Sequence, residues 1–402
     1  MAIIKKLIYF MRDAWMILGI ALILFFVIEA GLSIAFKMRS FWRPPETNFR
    51  KLADTYPDRS WSEKYYSEID DIEKNRSLRW RPYVYWRRLP RNGEYINIDN
   101  NGLRKTINPV AADGGKSPVK VFVFGGSTIW GLGSSDADTI PSQISNELNK
   151  NGVNCEVVNF GQYAYVSTQS VIELMLQLQK GNIPDAVIFY DGVNDTFNAF
   201  QTNTPGLTHN EVNRELEYGL LDKGNLKTYA AQSIIRQLST VRFLGGFLKQ
   251  FGGKHEQFQP IPLKYEQSIS DKKALAAAVV ETYFNNIRMV QALAKSYGFT
   301  AQFYWQPVIF TKKQLSDYEL RSIEMDFYFP GMKEFYLDTY DRLKDRSAGL
   351  AGDLEFFDIS STFNDIEEPI YVDFNHMGAK GNRVIAQRMT HEYLKLKKVG
   401  KM

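Results

Sequence analysis

The sequence contains one cysteine and four histidines in 402 residues. The single cysteine, Cys155, permits neither an intrachain disulfide nor a thiolate metal site. No two histidines stand at the spacing of metal ligands, so we predict no metal ion. Nothing in the sequence indicates an organic cofactor, and any catalysis must therefore use protein side chains.

The chain also has little excess charge of either sign. Its formal net charge is +4, with 23% charged and 44% hydrophobic residues, which is ordinary for a folded protein. Nucleic-acid binding needs basic residues massed on one face. The balanced composition therefore predicts no nucleic-acid partner.

One long apolar run lies near the start of the chain. Residues 15–36, WMILGIALILFFVIEAGLSIAF, contain a single charge, Glu29, and as a helix they would rise about 33 Å, enough to cross a bilayer. The run is too long for the apolar part of a signal peptide and lacks a clear cleavage site. We predict a transmembrane signal anchor at 15–36, with a cytoplasmic tail at 1–14, rather than a core helix.

The flanking charges do not orient this span. Basic residues precede it (Lys5, Lys6, Arg12) and follow it (Lys37, Arg39, Arg43), so the positive-inside rule favours neither direction. A carboxylate at mid-bilayer is costly and often faces a partner helix. Because Glu29 stands nearer the far end of the run, we expect it at the membrane interface.

Residues 37–117 form a segment rich in aromatic and basic residues, most markedly RWRPYVYWRRLPRNGEYINIDNNGLRKT at 79–106. Interleaved arginines and aromatic rings are compatible with a nucleic-acid or sugar platform. Our preferred interpretation is an extended segment that packs its aromatic residues on the main domain and points its arginines to solvent or anionic headgroups. Arg104 is expected to brace this segment, the alternative being contact with an anionic substrate.

Strand and helix patterns alternate from residue 118 to residue 398. The run VKVFVF at 119–124 is typical of a buried parallel strand, and further strands are predicted at 155–160, 186–190, 300–305 and 354–359. Helices are expected from Ile140 with Thr139 as its cap, at 167–181 opened by Ser167, and at 272–298. We predict an α/β fold, a three-layer α/β/α sandwich with a five-stranded parallel sheet in flavodoxin-like order. Residues 198–270, with an amphipathic helix at 229–250, read as an inserted cap over the site.

Polar residues cluster after the strands, where open α/β sheets bind ligands. Ser127 follows the first strand in KVFVFGGSTIWGLG, which lacks the lysine of a phosphate loop and the spacing of a dinucleotide fingerprint. A serine needs a base to become a nucleophile, and His376 has Asp373 three residues before it to hold its Nδ1 proton. Backbone N–H groups of Ser127 and Gly161 and the side-chain amide of Asn194 are candidate oxyanion donors.

These blocks, GGST, NFGQ, GVND and DFNH, resemble in order the four blocks of the SGNH/GDSL hydrolase superfamily. The resemblance covers about residues 118–395 and implies a catalytic triad of Ser127, His376 and Asp373 with an oxyanion hole of Ser127, Gly161 and Asn194. Two features depart from the family: Gly126 replaces the aspartate that usually precedes the serine, and the 198–270 insertion leaves substrate specificity open.

The resemblance implies a serine esterase acting through an acyl-serine on O-acyl, chiefly O-acetyl, esters of envelope or secreted carbohydrate. The signal anchor predicts a single-pass membrane protein, and the anchor together with the resemblance implies an extracytoplasmic, periplasmic catalytic domain. Two alternatives stay open: an O-acyltransferase that uses the same triad, and a non-catalytic, membrane-tethered carbohydrate-binding or assembly factor. The partners expected are thus the membrane and an acylated carbohydrate.

Overall fold

The computed structural model describes residues 2–42, 59–75, 77–109, 117–209, 225–251, 268–324, 329–349 and 354–398, together with 211, 214, 215 and 217. The chain divides into two compact units. One consists of Met1–Thr47 with Asn213–Gln257, and the other of Asn48–Val212 with Phe258–Met402. The middle of the insertion thus groups with the N-terminal helix. The predicted cap over the site stays a prediction, and its stretch at 252–262 lies outside the described residues.

The first unit contains three described helices: α1 (Ala2–Trp42), α7 (Asn225–Gln237) and α8 (Ser239–Phe251). Among the described residues, α1 is the one helix long and apolar enough to cross a membrane, over Ile4–Arg39, within which an 18-residue stretch has a mean hydropathy of 2.6. A signal sequence would meet the same criterion. A single amphipathic helix was expected at 229–250, but the structure has two helices, α7 and α8, which are separated by Leu238.

The second unit is built on a five-stranded parallel sheet. Its strands are β5 (Val119–Gly125), β6 (Cys155–Asn159), β7 (Ala186–Asp191), β8 (Thr300–Trp305) and β9 (Phe356–Asp358), in the order β6-β5-β7-β8-β9. All neighbouring strands pair in parallel. This order confirms the predicted flavodoxin-like sheet.

Helices cover both faces of the sheet, and a further helix, α2 (Arg59–Lys74), packs outside these layers. The others are α3 (Ser127–Trp130), α4 (Ile140–Lys150), α5 (Ser167–Gln179), α6 (Val193–Thr202), α9 (Lys272–Tyr297), α10 (Asp317–Glu324), α11 (Met332–Ala348) and α12 (Ala379–Lys398). Thr139 caps α4 as expected, by accepting the Ser142 N–H. Val166, not Ser167, precedes the first helical residue of α5.

Alternation along the strands divides the core into two layers. Phe122 and Phe124 of β5 pack in one layer, while Val121 and Val123 pack in the other. Because both faces are buried, the central strands carry mainly apolar side chains, with Lys120 near the start of β5 and Gln302 within β8 as exceptions. The polar residues of the candidate site follow the carboxyl ends of the strands.

The segment before the sheet holds two hairpins, β1 (Leu78–Arg81) with β2 (Tyr85–Arg88), and β3 (Arg91–Asn92) with β4 (Asn97–Ile98). A third apolar cluster joins this segment to the sheet unit, since Tyr65 and Tyr66 of α2 pack in it with Trp130 and Leu132. The segment is therefore folded onto the chain that follows Ser127.

Candidate active site

Ser127 is the first residue of the short helix α3, and only Gly126 separates it from the end of β5. Gly131 ends α3 with a left-handed φ of 98°. The sharp strand-to-helix turn places the Ser127 side chain at the carboxyl edge of the sheet, and its residue is 7% exposed. The serine therefore lies in a largely desolvated position.

Asp373 and His376 occupy the loop between β9 and α12. One Asp373 oxygen, Oδ1, accepts the backbone N–H groups of Asn375 and His376 at 3.0 and 2.8 Å. The other oxygen, Oδ2, lies 2.6 Å from His376 Nδ1. Because an ionised carboxylate only accepts hydrogen bonds, Nδ1 carries the proton and Nε2 is left with a lone pair.

His376 Nε2 lies 2.6 Å from Ser127 Oγ. The structure thus brings Asp373, His376 and Ser127 into one continuous line of hydrogen bonds. Burial alone would raise the pKa of the Asp373 carboxyl, but the imidazole of His376 and the hydrogen bonds that the carboxyl accepts bring this pKa below its usual value. Asp373 is therefore ionised at neutral pH and able to stabilise an imidazolium.

Asn194 lies in the first turn of α6, and its Nδ2 donates to the Tyr165 carbonyl at 2.8 Å. A Cβ on Gly126 would lie 2.2 Å from this Nδ2. Gly126 therefore allows the Asn194 amide to approach the residue before the serine. This contact gives a physical reason for the absence of an aspartate at position 126.

Gly161 is placed differently from its expected role. Its N–H donates to Asn159 Oδ1 at 2.9 Å, and a Cβ on Gly161 would lie 2.4 Å from the backbone nitrogen of Trp130. The N–H is thus not free to donate to an oxyanion in this arrangement. Gly161 instead allows the end of β6 to pack closely against α3.

A residue that sequence reasoning missed, Ala164, lies three positions further along. Its φ is 57°, in the left-handed region that non-glycine residues rarely adopt. It precedes Tyr165, whose carbonyl accepts the Asn194 amide. Such a backbone conformation is a signal of a constrained turn beside a site, and no sequence pattern reveals it at an alanine.

A buried ion pair supports the histidine loop. Glu319 accepts a hydrogen bond from Lys312 Nζ at 2.6 Å, and both side chains are fully buried. The same carboxylate accepts the N–H groups of Ile370 and Tyr371 at 3.0 and 3.1 Å. Burial alone would raise the pKa of Glu319, but Lys312 and these backbone donors lower it. The part of the loop just before Asp373 is therefore fixed to α10.

Arg104 joins the aromatic segment to the chain that follows Ser127, in line with the predicted bracing of that segment. Its guanidinium donates to Asp136 Oδ1 at 2.9 Å and to the carbonyls of Gly131 and Ser134 at 2.7 Å each. It also lies over the Trp130 ring, 4.4 Å from the centroid. Arg104 is 1% exposed, so it is not available to an anionic substrate.

The expected packing of the arginine-rich segment is wrong in part. Arg87 and Arg88 are buried, since Arg87 pairs with Glu173 at 2.6 Å and Arg88 with Glu73 at 2.5 Å. Trp80 is instead 58% exposed and Tyr83 71% exposed. The acidic partners decide the outcome, because they compensate the desolvation of guanidinium groups that would otherwise require solvent.

The other histidines lie elsewhere. His209 is half-buried, and burial lowers its pKa, while His391 is exposed on α12. His255 lies outside the described residues. Among the described residues, no group of three or more His, Cys, Asp or Glu side chains is arranged to hold a metal ion.

No family model matches the chain, and no curated protein matches it. Solved structures do show similarity. One is a member of the lipolytic protein G-D-S-L family from Veillonella parvula DSM 2008, with 11% identity over 69% of this chain and 97% of that chain and a TM-score of 0.35. An acetylxylan esterase from Geobacillus stearothermophilus, Axe2, gives 12% identity over 69% and 94%, with a TM-score of 0.35.

A psychrotrophic esterase, EstA from Pseudoalteromonas sp., gives 9% identity over 70% of this chain and 99% of that chain, with a TM-score of 0.32. The Veillonella parvula protein is a member of a family that the four sequence blocks resemble. At such low identities and TM-scores, none of the three says anything about the activity of this chain.

Proposed function

We propose that the chain is a membrane-anchored serine esterase that cleaves O-acyl esters, with O-acetyl groups on envelope or secreted carbohydrate as its substrates. The observation that carries this proposal is the line of hydrogen bonds from Asp373 through His376 to Ser127. A serine hydroxyl at 2.6 Å from an oriented imidazole is the arrangement that nucleophilic acyl transfer requires.

In the first half-reaction Ser127 Oγ attacks the ester carbonyl while His376 Nε2 takes the hydroxyl proton. The tetrahedral intermediate collapses, the bond to the alcohol oxygen breaks, and His376 returns the proton to that oxygen. In the second half-reaction His376 takes a proton from water, which attacks the acyl-serine. The free acid leaves, and the proton restores the Ser127 hydroxyl.

Two groups are proposed as oxyanion donors. The Ser127 N–H is at the first position of α3, where a helix has no internal acceptor for it. Asn194 Nδ2 has two hydrogens, of which Tyr165 accepts one, so the second is left for the oxyanion. The third candidate, Gly161, is not included, because its N–H is engaged by Asn159.

A row of aromatic rings supports a carbohydrate substrate. Tyr165, beside Asn194, contacts Trp86 at 5.6 Å between centroids, Trp86 contacts Tyr85 at 6.3 Å, and Tyr85 contacts the exposed Trp80 at 5.4 Å. Trp80 and Trp86 are cross-strand partners, so regular alternation would send Tyr85 to the opposite face. Its left-handed φ of 74° turns the ring to their side. Tyr165 itself is buried, so the outer rings Trp80, Tyr85 and Trp86 are the part of the row proposed to give sugar rings an apolar surface.

The reaction is tested with the purified full-length protein, p-nitrophenyl acetate and acetylated xylan, with and without free acceptor sugars. We expect free acetate from both substrates under all conditions. Accumulation of acetyl-sugar at the expense of acetate would identify an acyltransferase instead. Absence of any acyl release would contradict an enzymatic role.

The aromatic row is tested with Trp80→Ala. We expect kcat/KM for acetylated xylan to fall about tenfold, the loss of one aromatic contact, with no change for p-nitrophenyl acetate, which is too small to reach Trp80. Tyr297→Ala removes another exposed ring, 42% exposed, from the end of α9 and should affect neither substrate. An equal fall for both substrates would contradict a carbohydrate-binding role.

The extracytoplasmic location of the second unit is part of the same proposal. It is tested by adding protease to cells whose outer membrane has been permeabilised while the cytoplasmic membrane stays intact. Digestion of the C-terminal part with the cell membrane intact supports the proposed side, and protection until the membrane is dissolved would contradict it.

A further inference from the structure

The carboxylate of Glu29, within the apolar part of α1, contacts the start of α8. Its Oε2 accepts the Thr240 N–H at 2.9 Å, and its Oε1 accepts the Ser239 N–H. The two donors are the first two N–H groups of α8, for which the helix itself has no acceptor. A carboxylate at this end also interacts favourably with the helix dipole.

The sequence of α8 requires such a partner. Leu238 precedes the helix, and its carbonyl accepts the Arg242 N–H in the manner of an N-cap residue. Its side chain has no oxygen with which to accept the free donors, and leucine is among the poorest N-cap residues. Glu29 therefore supplies from α1 the acceptor that position 238 lacks.

The contact locates the start of α8 along the apolar run. Glu29 is seven residues before Phe36, the last residue of the run, or about 10 Å along the helix axis. Arg242, three residues into α8, lies over the Phe36 ring at 5.2 Å from its centroid. The guanidinium thus reaches the end of the run, as arginines do when their stems lie in lipid.

The exposed surface of α7 and α8 includes many apolar side chains. The exposed large hydrophobic residues of the two helices are Ile234, Ile235, Val241, Phe243, Leu244 and Phe247, each between 37% and 65% exposed. Phe243 and Phe247 lie one turn apart, with ring centroids 6.5 Å apart. In water such a patch would be unfavourable, whereas it continues the exposed apolar surface of α1.

We infer that α7 and α8 are a second membrane-contacting element, with their apolar surface in the hydrocarbon region of the same bilayer and their start held at depth by Glu29. The occupant of the surface is lipid. This inference rests on the proposed membrane span of α1. It makes the insertion part of the membrane attachment, and it gives the acidic residue of the span a positioning role.

Depth is measured on the full-length protein in lipid nanodiscs, with Cys155→Ala as background and one spin label at a time. Labels at Leu244 and Phe247 should be relaxed more by oxygen than by an aqueous nickel chelate, as should a label at Ile23 of α1. A label at Met289, 48% exposed on α9, is the control and should show the opposite preference.

Three results would overturn the inference. Aqueous behaviour at Leu244 and Phe247 with lipid behaviour at Ile23 would place the insertion in water and leave the span intact. Aqueous behaviour at Ile23 as well would remove the span itself. Labels at Leu244 and Phe247 that are shielded from both reagents would show that a protein partner, not lipid, covers the surface.

The role of Glu29 is tested by its variants. Glu29→Ala should increase access of the nickel chelate to a Phe247 label about fivefold, because loss of one helix cap typically shifts the helix equilibrium by about this factor. Glu29→Gln, which retains an acceptor oxygen, should have a smaller effect. Adding Leu238→Ser to Glu29→Ala supplies a local cap and should restore the original access.

Esterase activity in the same samples reports that the second unit is folded. If Glu29→Ala does not express, the comparison of Glu29→Gln with and without Leu238→Ser answers the question. Unchanged access in the Glu29 variants, or access that Leu238→Ser does not restore, would overturn the positioning role of Glu29.

Discussion

Ser127 Oγ and His376 Nε2 lie 2.6 Å apart although 249 residues separate them in the chain. The strand before the histidine loop, β9, lies three strands away from β5, a distance of about 14 Å at the usual strand spacing. The loop therefore has to return across the edge of the sheet. The Ile309 N–H, which follows β8, holds it there by donating to the Phe374 carbonyl at 2.8 Å.

The base can be tested with a matched pair of histidine variants. His376→Ala should lower kcat for p-nitrophenyl acetate by about 10⁴-fold or more, because no other group takes the serine proton. His391→Ala removes an exposed imidazole from α12 and should leave the rate unchanged. Steady-state kinetics of the two variants, with circular dichroism to verify folding, decide the matter, and similar rates would refute the role of His376.

Asn194 and Gly126 should act as one unit in catalysis. Asn194→Ala should lower kcat roughly 10²- to 10³-fold with little change in KM, as removal of an oxyanion donor does. Gly126→Ala places a methyl group 2.2 Å from the present position of Asn194 Nδ2, so it should displace the amide and also lower kcat.

The double variant should then be no slower than Asn194→Ala alone, because the same donor is lost only once. The measurement is a double-mutant cycle in kcat. Multiplicative effects would show that Gly126 contributes independently of Asn194.

Glu319→Gln should destabilise the fold by about 3–5 kcal/mol, since it leaves the Lys312 ammonium buried without its counter-charge. The pKa of Glu319 is lower in the folded chain than its usual value. Its stabilising contribution is therefore complete above the unfolded-state pKa of about 4.3 and is lost as pH falls through the lower folded-state value.

Urea unfolding from pH 3 to pH 8 checks this prediction. The difference between wild type and Glu319→Gln should be constant above about pH 6 and shrink below about pH 4. Glu368→Gln removes an exposed carboxylate that pairs with Lys380, and it should leave unfolding unchanged. A difference that grows toward acid pH would contradict the account of Glu319.

Arg104 should not be replaceable by lysine. Arg104→Ala leaves Asp136 and two buried carbonyls without their donor and should cost about 3–5 kcal/mol. Arg104→Lys should recover little of this, because an ammonium cannot reach all three acceptors in one plane.

The control is Arg346→Ala, which breaks a surface pair with Glu281 and should cost less than about 1 kcal/mol. Chemical unfolding of the three variants gives the comparison. Full stability in Arg104→Lys would mean that charge alone, and not the fork of donors, holds the serine turn.

The sheet was predictable because its signal is local. The central strands are short, mainly apolar segments between turn residues, as in VKVFVF at 119–124, and Thr139 is a standard helix cap. The relation between Asp373 and His376 is also local, with three residues of spacing. The reach of His376 to Ser127 was only implied by the resemblance, since it depends on how the loop after β9 returns.

The features that sequence reasoning missed depend on distant partners. Burial of Arg87 requires Glu173, 86 positions further on, and the break of the insertion into two helices at Leu238 accompanies a contact with Glu29, 209 positions before it. The left-handed φ angles of Ala164 and Tyr85 could not be predicted from the sequence, because neither alanine nor tyrosine favours this conformation. Gly161 was assigned from its place after a strand, and its N–H is engaged by a side chain two residues away.

The proposed function requires that Ser127 is a nucleophile activated by His376. This is measured by peptide mapping with mass spectrometry after treatment of the folded, full-length protein with a fluorophosphonate. We expect wild type to form one adduct, on Ser127. The adduct should form much more slowly in His376→Ala and should be absent from Ser127→Ala. An unmodified Ser127 in folded protein, or an adduct that forms equally fast without His376, would contradict the proposed function.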